Sequence, residues 1–492
     1  MSSAQRFVAG VDSSTQSTKV EIRETISGRV VARASAPHPA TTPPRSEQEP
    51  AAWWRAFERA WAEATSAAGI DGVEAISVAG QQHGMVVLDL DRQPVRAAKL
   101  WNDTESAADA GWLVQQFGGA SAAAVAVGSV PVAAFTATKL SWLHRSEPDS
   151  WSRLAHVLLP HDWLTMQLTG TLVTDRGDAS GTGYWSPARG EYDWAILQLI
   201  DKDRDWSQVV PRVAGPREIV GEWNGAAVAC GTGDNMAAAL GLGLQVGEAV
   251  ISLGTSGTVF AVSSAPTHDG TGAVAGFADA TGRFLPLVCT LNATKVTNAF
   301  ARLLGVNFVE FDRLALGAPR GASGLTLLPY LDGERTPNLP TASGSLLGLR
   351  SDVSRQDLAR AAVEGVVCGL LDGLDSLQRH APVDSVTLVG GGARSDAYRH
   401  VVSDLCDLPV VVADADEAVA TGACVQAAAI ALDCDHQEVV AAWGLGARTP
   451  VLGGVAGGGV AGGGLASTRD AAAAGVVRAR YAEARHRAYP ES

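Results

Sequence analysis

Cysteine is scarce: six residues in 492, at positions 230, 289, 368, 406, 424 and 434. None forms a CxxC pair or another metal-ligand spacing, which argues against a zinc site or disulfide framework and for reduced thiols in a cytoplasmic protein. Positive charge is also short, with 38 Lys plus Arg against 52 Asp plus Glu and a formal net charge of −14. Binding nucleic acid or an anionic membrane needs basic surface to offset phosphate, so neither partner is expected, and an anionic substrate must be met by local donors. Long apolar runs are missing too: the longest, 122–135, is broken by Gly128, Ser129 and Pro131 and is too short for a bilayer span. The first residues hold one Arg before a short apolar run and no cleavage-like site, so no signal peptide is expected. Tryptophan is nearly absent from the second half: twelve of the 13 lie before residue 224 and only Trp443 after it. Two halves with different jobs would explain that asymmetry, with most of the indoles in cores.

What is present points to a globular α/β protein. Hydrophobic residues make up 46% and charged residues 18%, and the length suits two or three domains. An apolar strand at 8–11, a turn of small hydroxyl residues at 13–18 and a second strand at 19–22 read as a β-hairpin. The same plan returns with strands at 249–253 and 259–262 around the turn 254–258. That repeat suggests two domains of one architecture, each opening with a hairpin. Strand-like runs at 75–79, 157–159 and 227–229 alternate with helix-like runs at 49–67, 138–144 and 161–168. Later come a helix at 356–377, a strand at 385–389, a helix at 395–406 and a strand at 409–412, an alternation that predicts mixed sheets. Eight of the twelve residues in 453–464 are Gly, read as a flexible loop before a basic helix at 469–487.

Several segments can carry chemistry. Turns of Gly, Ser and Thr let backbone N–H groups approach a phosphate, and both hairpin turns qualify. Asp12 stands immediately before the first turn, and a carboxylate beside a phosphate suggests a Mg2+ position, although Asp12 can also serve as a local cap. Asp234 follows an apolar strand and two Gly at the start of an Ala-rich helix. It is either an N-cap or a general base that accepts a hydroxyl proton, a contribution of roughly 10² to 10⁴ in rate. Gln81, Gln82 and His83 sit between two Gly at a strand end, and Trp101, Asn102 and Asp103 form a second polar and aromatic group; both suit a polyhydroxylated ligand. His83 is equally readable as a buried structural histidine. The GGGARS run at 390–395, with Asp414 and Asp416 beyond it, partly matches a dinucleotide fingerprint, and close backbone approach to adenosine explains the same glycines without NAD.

Taken in order, these segments resemble the FGGY carbohydrate kinases over nearly the whole chain to about residue 444. VDSSTQSTK (11–19) is similar to the family's first phosphate hairpin and SLGTSGTV (252–259) to its second; VGGGARS (389–395) is similar to its adenosine segment and GTGDN (231–235) to the one bearing its catalytic Asp. GQQHG (80–84), LWND (100–103), FTATKL (135–140), LLPHDWL (158–164) and LPYLDGERTP (328–337) resemble the members that act on the ketopentose D-xylulose. The resemblance implies an α/β fold of two ribonuclease-H-like, actin/hexokinase-like domains with a catalytic cleft between them, a sugar-binding domain at 1–246 and an ATP-binding domain at 247–444; the Gly-rich loop and terminal helix at 445–492 follow outside it. It implies ATP and Mg2+ as cofactors and commonly a homodimer. Asp234 would be the general base; Gln82, His83, Trp101, Asp103 and Asn235 would bind the sugar with it. Asp12 would organise Mg2+, Thr15, Gly254, Thr255 and Ser256 would face the phosphates, and Gly391, Gly392 and Ala393 would pack on adenosine. Two positions and one segment depart from the family pattern: Glu105, often Arg there, Gln82, often Met, and the Gly-rich run at 453–464 before the last helix, which is given no function. Alternatives are a kinase for another ketose or polyol, a non-catalytic sugar sensor on the same fold, and an NAD-dependent dehydrogenase.

Overall fold

In the computed structural model, which describes residues 6–414, 416–451 and 471–490, the first hairpin forms strands Phe7–Ser13 and Ser17–Glu24, with Asp12 opposite Lys19. The first strand is buried from Val8 to Ser13, so its apolar positions run continuously, as a central strand covered on both faces requires. Val30–Pro37 pairs antiparallel with the second strand. On the other side Ala75–Gly80 runs parallel to the first strand, Ala226–Ala229 parallel to that, and Ile219–Trp223 antiparallel at the edge. A parallel return needs a crossover, here the helix Pro50–Ala68, which opens with Pro and ends on Gly69 at φ 66°. It buries Ala52, Trp53, Ala56, Phe57, Ala60 and Ala64, where each large side chain is worth about 1.5–3 kcal/mol.

The second hairpin, Glu248–Leu253 with Gly257–Ala261, starts a sheet of the same plan. Phe284–Thr290 adds antiparallel to Gly257–Ala261. On the other side Ser385–Val389 and Val410–Ala413 are parallel and Arg448–Pro450 is antiparallel. The helix Arg355–Gln378 matches the run expected at 356–377. The repeat read from the two turns is therefore a repeat of whole sheets.

The chain divides into two units, Met1–Gln245 with Val262–Pro286 and Ala415–Gly446, and Val246–Ala261 with Leu287–Asp414 and Ala447–Ser492. The first break lies between residues 245 and 246, and the second domain expected at 247–444 spans segments of both units. Residues 262–286 and 415–446 pack with the first unit. The physical reason is clearest for the helix Ala418–Leu432, which lies backbone against backbone on its neighbours. A Cβ on Gly422 would come within 1.9 Å of Ala237 O, one on Gly241 within 2.0 Å of Ala418 O, and one on Gly10 within 2.2 Å of Ala420 O.

Five of the 13 tryptophans (Trp53, Trp151, Trp163, Trp185 and Trp206) are buried in cores, six are partly buried, and Trp112 and Trp194 are exposed. The terminal helix runs over Ala471–Ala488; the Gly-rich run at 453–464 lies outside the described residues. Among the described residues no single helix is long and apolar enough to cross a membrane.

Candidate active site

The strand pair Ala75–Gly80 and Thr232–Gly233 ends side by side, Gly80 opposite Gly233, so Gln81–His83 and Asp234–Asn235 leave the sheet together. Asp234 is the first residue of the helix Asp234–Gly241, and Gly233 occupies the cap position. Asp234 is thus not the N-cap, which removes the common structural explanation for it. Its Oδ1 accepts from Asn235 N at 2.8 Å and Asn235 Nδ2 at 2.9 Å, and Nδ2 also donates to Gln82 Oε1 at 3.0 Å. Burial, aided by the charge of Asp12, pushes the Asp234 carboxyl up to about 7 against the lowering effect of the Asn235 bonds. A carboxylate tuned there can accept a proton near neutral pH. Among the described residues the Nε2 groups of Gln81 and Gln82 are buried donors without partners, suited to ligand hydroxyls.

Asp12 is 4% exposed. Its Oδ2 lies 3.6 Å from Lys19 Nζ, which also binds Glu417 Oε2 at 2.6 Å, while its Oδ1 is buried without a hydrogen-bond partner. Burial raises its carboxyl to about 6, opposed by Lys19 and reinforced by Glu417. An orphaned hard oxygen of this kind fits a Mg2+ ion completed by water and phosphate oxygens. Thr15, expected at the phosphates, is committed to the neighbouring row: its Oγ1 donates to Gln81 Oε1 at 2.9 Å and accepts from Trp101 Nε1 at 2.9 Å. Trp101 is thereby fixed by its polar edge to the first turn. The hydrogen bonds join Trp101, Thr15 and Gln81, and those beyond it join Gln82, Asn235 and Asp234.

His83 is buried and adopts φ 66°, a left-handed conformation uncommon outside glycine and often found at functional sites. Its Nδ1 bonds Gly181 O at 2.7 Å, and its ring packs on Phe135 and Phe277 with centroids 4.8 and 5.5 Å away.

Asp103 departs from the sugar-contact expectation. It is fully buried; Oδ2 accepts from Ser46 N and Lys99 Nζ at 2.9 Å each, and Oδ1 from Glu105 N at 3.1 Å. With both oxygens occupied it shapes the Trp101 loop from inside. Lys99, itself fully buried, also pairs with Glu105 and, at 3.3 Å, with Glu47, and sits 4.0 Å over the Trp142 ring. The acidic residue where the family pattern often has Arg is thus neutralised from within.

In the second unit, the carbonyl of Gly254 accepts from Thr294 N at 2.9 Å and Oγ1 at 2.8 Å, which anchors the turn to the start of the helix Thr294–Leu304 and leaves Thr255 exposed. Of the expected adenosine segment, Gly391 is exposed and a Cβ added there would meet nothing within 4 Å, whereas Gly392 and Ala393 are buried. A Cβ on Gly392 would meet Leu253 Cβ at 2.7 Å, so that glycine serves internal packing and only Gly391 offers open backbone. Glu334 of the LPYLDGERTP segment is also structural, accepting from Leu291 N at 2.6 Å and Asn292 Nδ2 at 2.8 Å.

Gln81, expected to face ligand hydroxyls, is also the partner of Thr15, and Phe135 and Phe277 around His83 carry no motif-based role in the sequence. A buried group of His161, Asp162, Asp175 and Asp178 joins residues from LLPHDWL to others that the sequence spacing does not connect.

A model of the N-terminal domain of the FGGY family of carbohydrate kinases matches residues 7–243, and one of that family's C-terminal domain matches 249–431. The chain is 46% identical over 460 residues to the xylulose kinase of Streptomyces coelicolor, covering 91% of this chain and 93% of that protein. It is 36% identical over 419 residues to the xylulose kinase of Escherichia coli, covering 80% and 84%. Among solved structures, the xylulose kinase from Bifidobacterium adolescentis matches with a TM-score of 0.81 at 37% identity, covering 98% of this chain and 100% of that one.

Proposed function

The chain belongs to the FGGY family of carbohydrate kinases, and from that premise we propose that it transfers the γ-phosphoryl group of ATP to D-xylulose, giving D-xylulose 5-phosphate and ADP. The observation that carries the catalytic reading is Asp234, a partly exposed carboxylate raised to about 7 and oriented by Asn235. Asp234 takes the proton from the sugar hydroxyl as its oxygen attacks the γ-phosphorus, the bond to the bridging oxygen breaks, and ADP leaves. In phosphoryl transfer the protein's part is chiefly positioning and charge stabilisation. Gln82 and Asn235 hold the ketose beside the base, His83 adds an imidazole fixed in one orientation by Gly181 O, and Trp101 supplies an apolar face for the sugar's C–H groups. Asp12 would hold Mg2+, which when bound neutralises charge on the phosphate oxygens. Thr255 and Ser256 offer hydroxyls to those phosphates, and Gly391 lets adenosine approach the backbone. Asp103 and Thr15 act one step back, by fixing the loop and the indole.

The identity to xylulose kinases over nine-tenths of the chain supports the choice of sugar. The pairing of Glu105 with Lys99 means that losing the usual Arg leaves no unpaired anion beside the site. A coupled assay of ADP release over D-xylulose, L-xylulose, D-ribulose, L-ribulose, glycerol and gluconate tests this: the highest kcat/KM is expected with D-xylulose. A higher value on another substrate would replace the sugar, and no ADP release with any would favour a sensor. Dependence on ATP and five buried cysteines outside any disulfide among the described residues suit the cytoplasm, and light scattering on the purified enzyme tests the homodimer.

A further inference from the structure

Beneath the Asp234 segment lies a group that phosphoryl transfer does not itself require. His161, on the helix Pro160–Thr169, is fully buried with Asp162 and Asp178, and Asp175 is 2% exposed. His161 Nδ1 bonds Asp178 Oδ2 at 2.6 Å, and Nε2 lies 3.2 Å from Asp162 Oδ1 and 3.8 Å from Asp175 Oδ1. The ring therefore has a carboxylate at each nitrogen. A neutral imidazole would aim a lone pair at one of them, and buried carboxylates without a counter-charge are costly. A proton on each nitrogen sets positive charge against both ends, as a hydrogen bond at Asp178 and as a charge contact at Asp162, where Nε2 and Oδ1 make no hydrogen bond.

Two of these three aspartates lead to the candidate site, Asp175 through its carboxylate and Asp178 through its backbone carbonyl. Asp175 caps the short turn Arg176–Ala179 and accepts from Thr232 Oγ1 at 2.7 Å, two residues before Asp234. Asp178 O accepts from Gly181 N, and Gly181 O in turn holds His83. The imidazole also packs against Gly231, where a Cβ would lie 2.8 Å from its Cδ2.

We propose that His161 is a permanent imidazolium which, through Asp175 and Asp178, fixes the Asp234 segment and His83, and so is a positioning residue for phosphoryl transfer. The assignment rests on the general-base reading of Asp234. Burial alone would lower its pKa, but Asp162, Asp178 and Asp175 together raise it to about 10. Among the described residues, other titratable groups around the cluster include Tyr184, facing Asp162 and Asp178, Tyr192, facing Asp162, Arg176 and Cys230 beside Asp175, and Asp234, whose charge reaches Asp178.

The test pairs kinetics with a direct reading of protonation. His161→Gln should lose about 100-fold in kcat, the scale of a misplacement near 1 Å, with KM for ATP nearly unchanged. His161→Lys, which restores a fixed positive charge, should return to within about tenfold of wild type. In full-length protein labelled with 15N-histidine, the signal missing from His161→Lys should show both ring nitrogens protonated from about pH 6 to about pH 8, inside the range the raised pKa sets. Wild-type kcat in His161→Gln, or no recovery in His161→Lys, would overturn the proposal. So would an unprotonated Nε2, or a signal that moves on adding a chelator, which would reveal a bound metal. If the variants do not fold, the wild-type spectrum decides, with the His161 signal assigned through its bonds to the backbone. A doubly protonated ring together with an active Asp234→Asn would retire the base reading and leave the charge of His161 standing.

Discussion

Asp234→Asn separates the chemical role of this carboxylate from its cost to the fold. Asn keeps the size and an Oδ1 able to accept from Asn235 N, but cannot take a proton from a hydroxyl, so turnover should fall by roughly 10² to 10⁴ while sugar binding persists. The same change should stabilise the protein. Asp234 is raised from 3.8 to about 7, about three units, and at 1.36 kcal/mol per unit the penalty of ionising it in the fold is at most about 4 kcal/mol. Partial exposure screens this, so a gain of ~1–2 kcal/mol is the working figure. Its sign follows from linkage. Below about pH 4 the carboxyl is neutral in both states and costs nothing; the penalty grows as pH rises from about 4 to about 7 and is constant above. The advantage of the Asn variant in urea unfolding should therefore be full at pH 8 and about a third as large at pH 5. A variant with wild-type turnover would refute the base role, and a stability difference independent of pH would refute the electrostatic reasoning.

Further expectations follow from neighbouring groups. Asp12→Asn removes a negative charge that helps hold Asp234 up, so the Asp234 pKa, read by carboxyl-carbon NMR, should fall below its value of about 7, and turnover should lose its normal response to Mg2+; an unmoved pKa would uncouple the two. Lys99→Met would leave Glu47, Asp103 and Glu105 around an apolar side chain and should cost about 3–5 kcal/mol in urea unfolding, with part regained by adding Glu105→Gln. Trp101→Phe keeps the aromatic face but loses the bond to Thr15, and should raise KM for the sugar several-fold with little change in KM for ATP. Equal effects on both would argue for general loosening.

The two phosphate-type hairpins were legible because a strand, a turn of small hydroxyl residues and a strand must be contiguous in sequence. Asp234 was legible for the same reason: strand, glycines and helix follow one another, and only the choice between cap and base needed coordinates. The His161 cluster was not legible, since its members come from a helix, a strand end and a turn that only tertiary packing brings together. Asp103 shows the converse limit. Its motif neighbours Trp101 correctly, but whether a carboxylate faces ligand or interior depends on Lys99 and Ser46 N, which sequence spacing cannot place. Likewise Gly391 and Gly392 are adjacent and identical in sequence, yet one is open and the other pressed on Leu253.

The helix Ala418–Leu432 bears on how this protein can be taken apart. Although it comes late in the chain, its glycine-bearing face is part of the support beneath Gly10 and the Asp234 helix, with approaches too close for any side chain. A helix glycine exchanged for alanine ordinarily gains up to about 1 kcal/mol; at Gly422 that remedy is closed, because the added methyl has backbone in its place. Cutting the gene between the two family-model matches would likewise yield no autonomous sugar-binding module, since residues 415–446 would be left on the wrong fragment. Domain exchange among such kinases would have to carry this late helix along with the early sheet, as a matched pair.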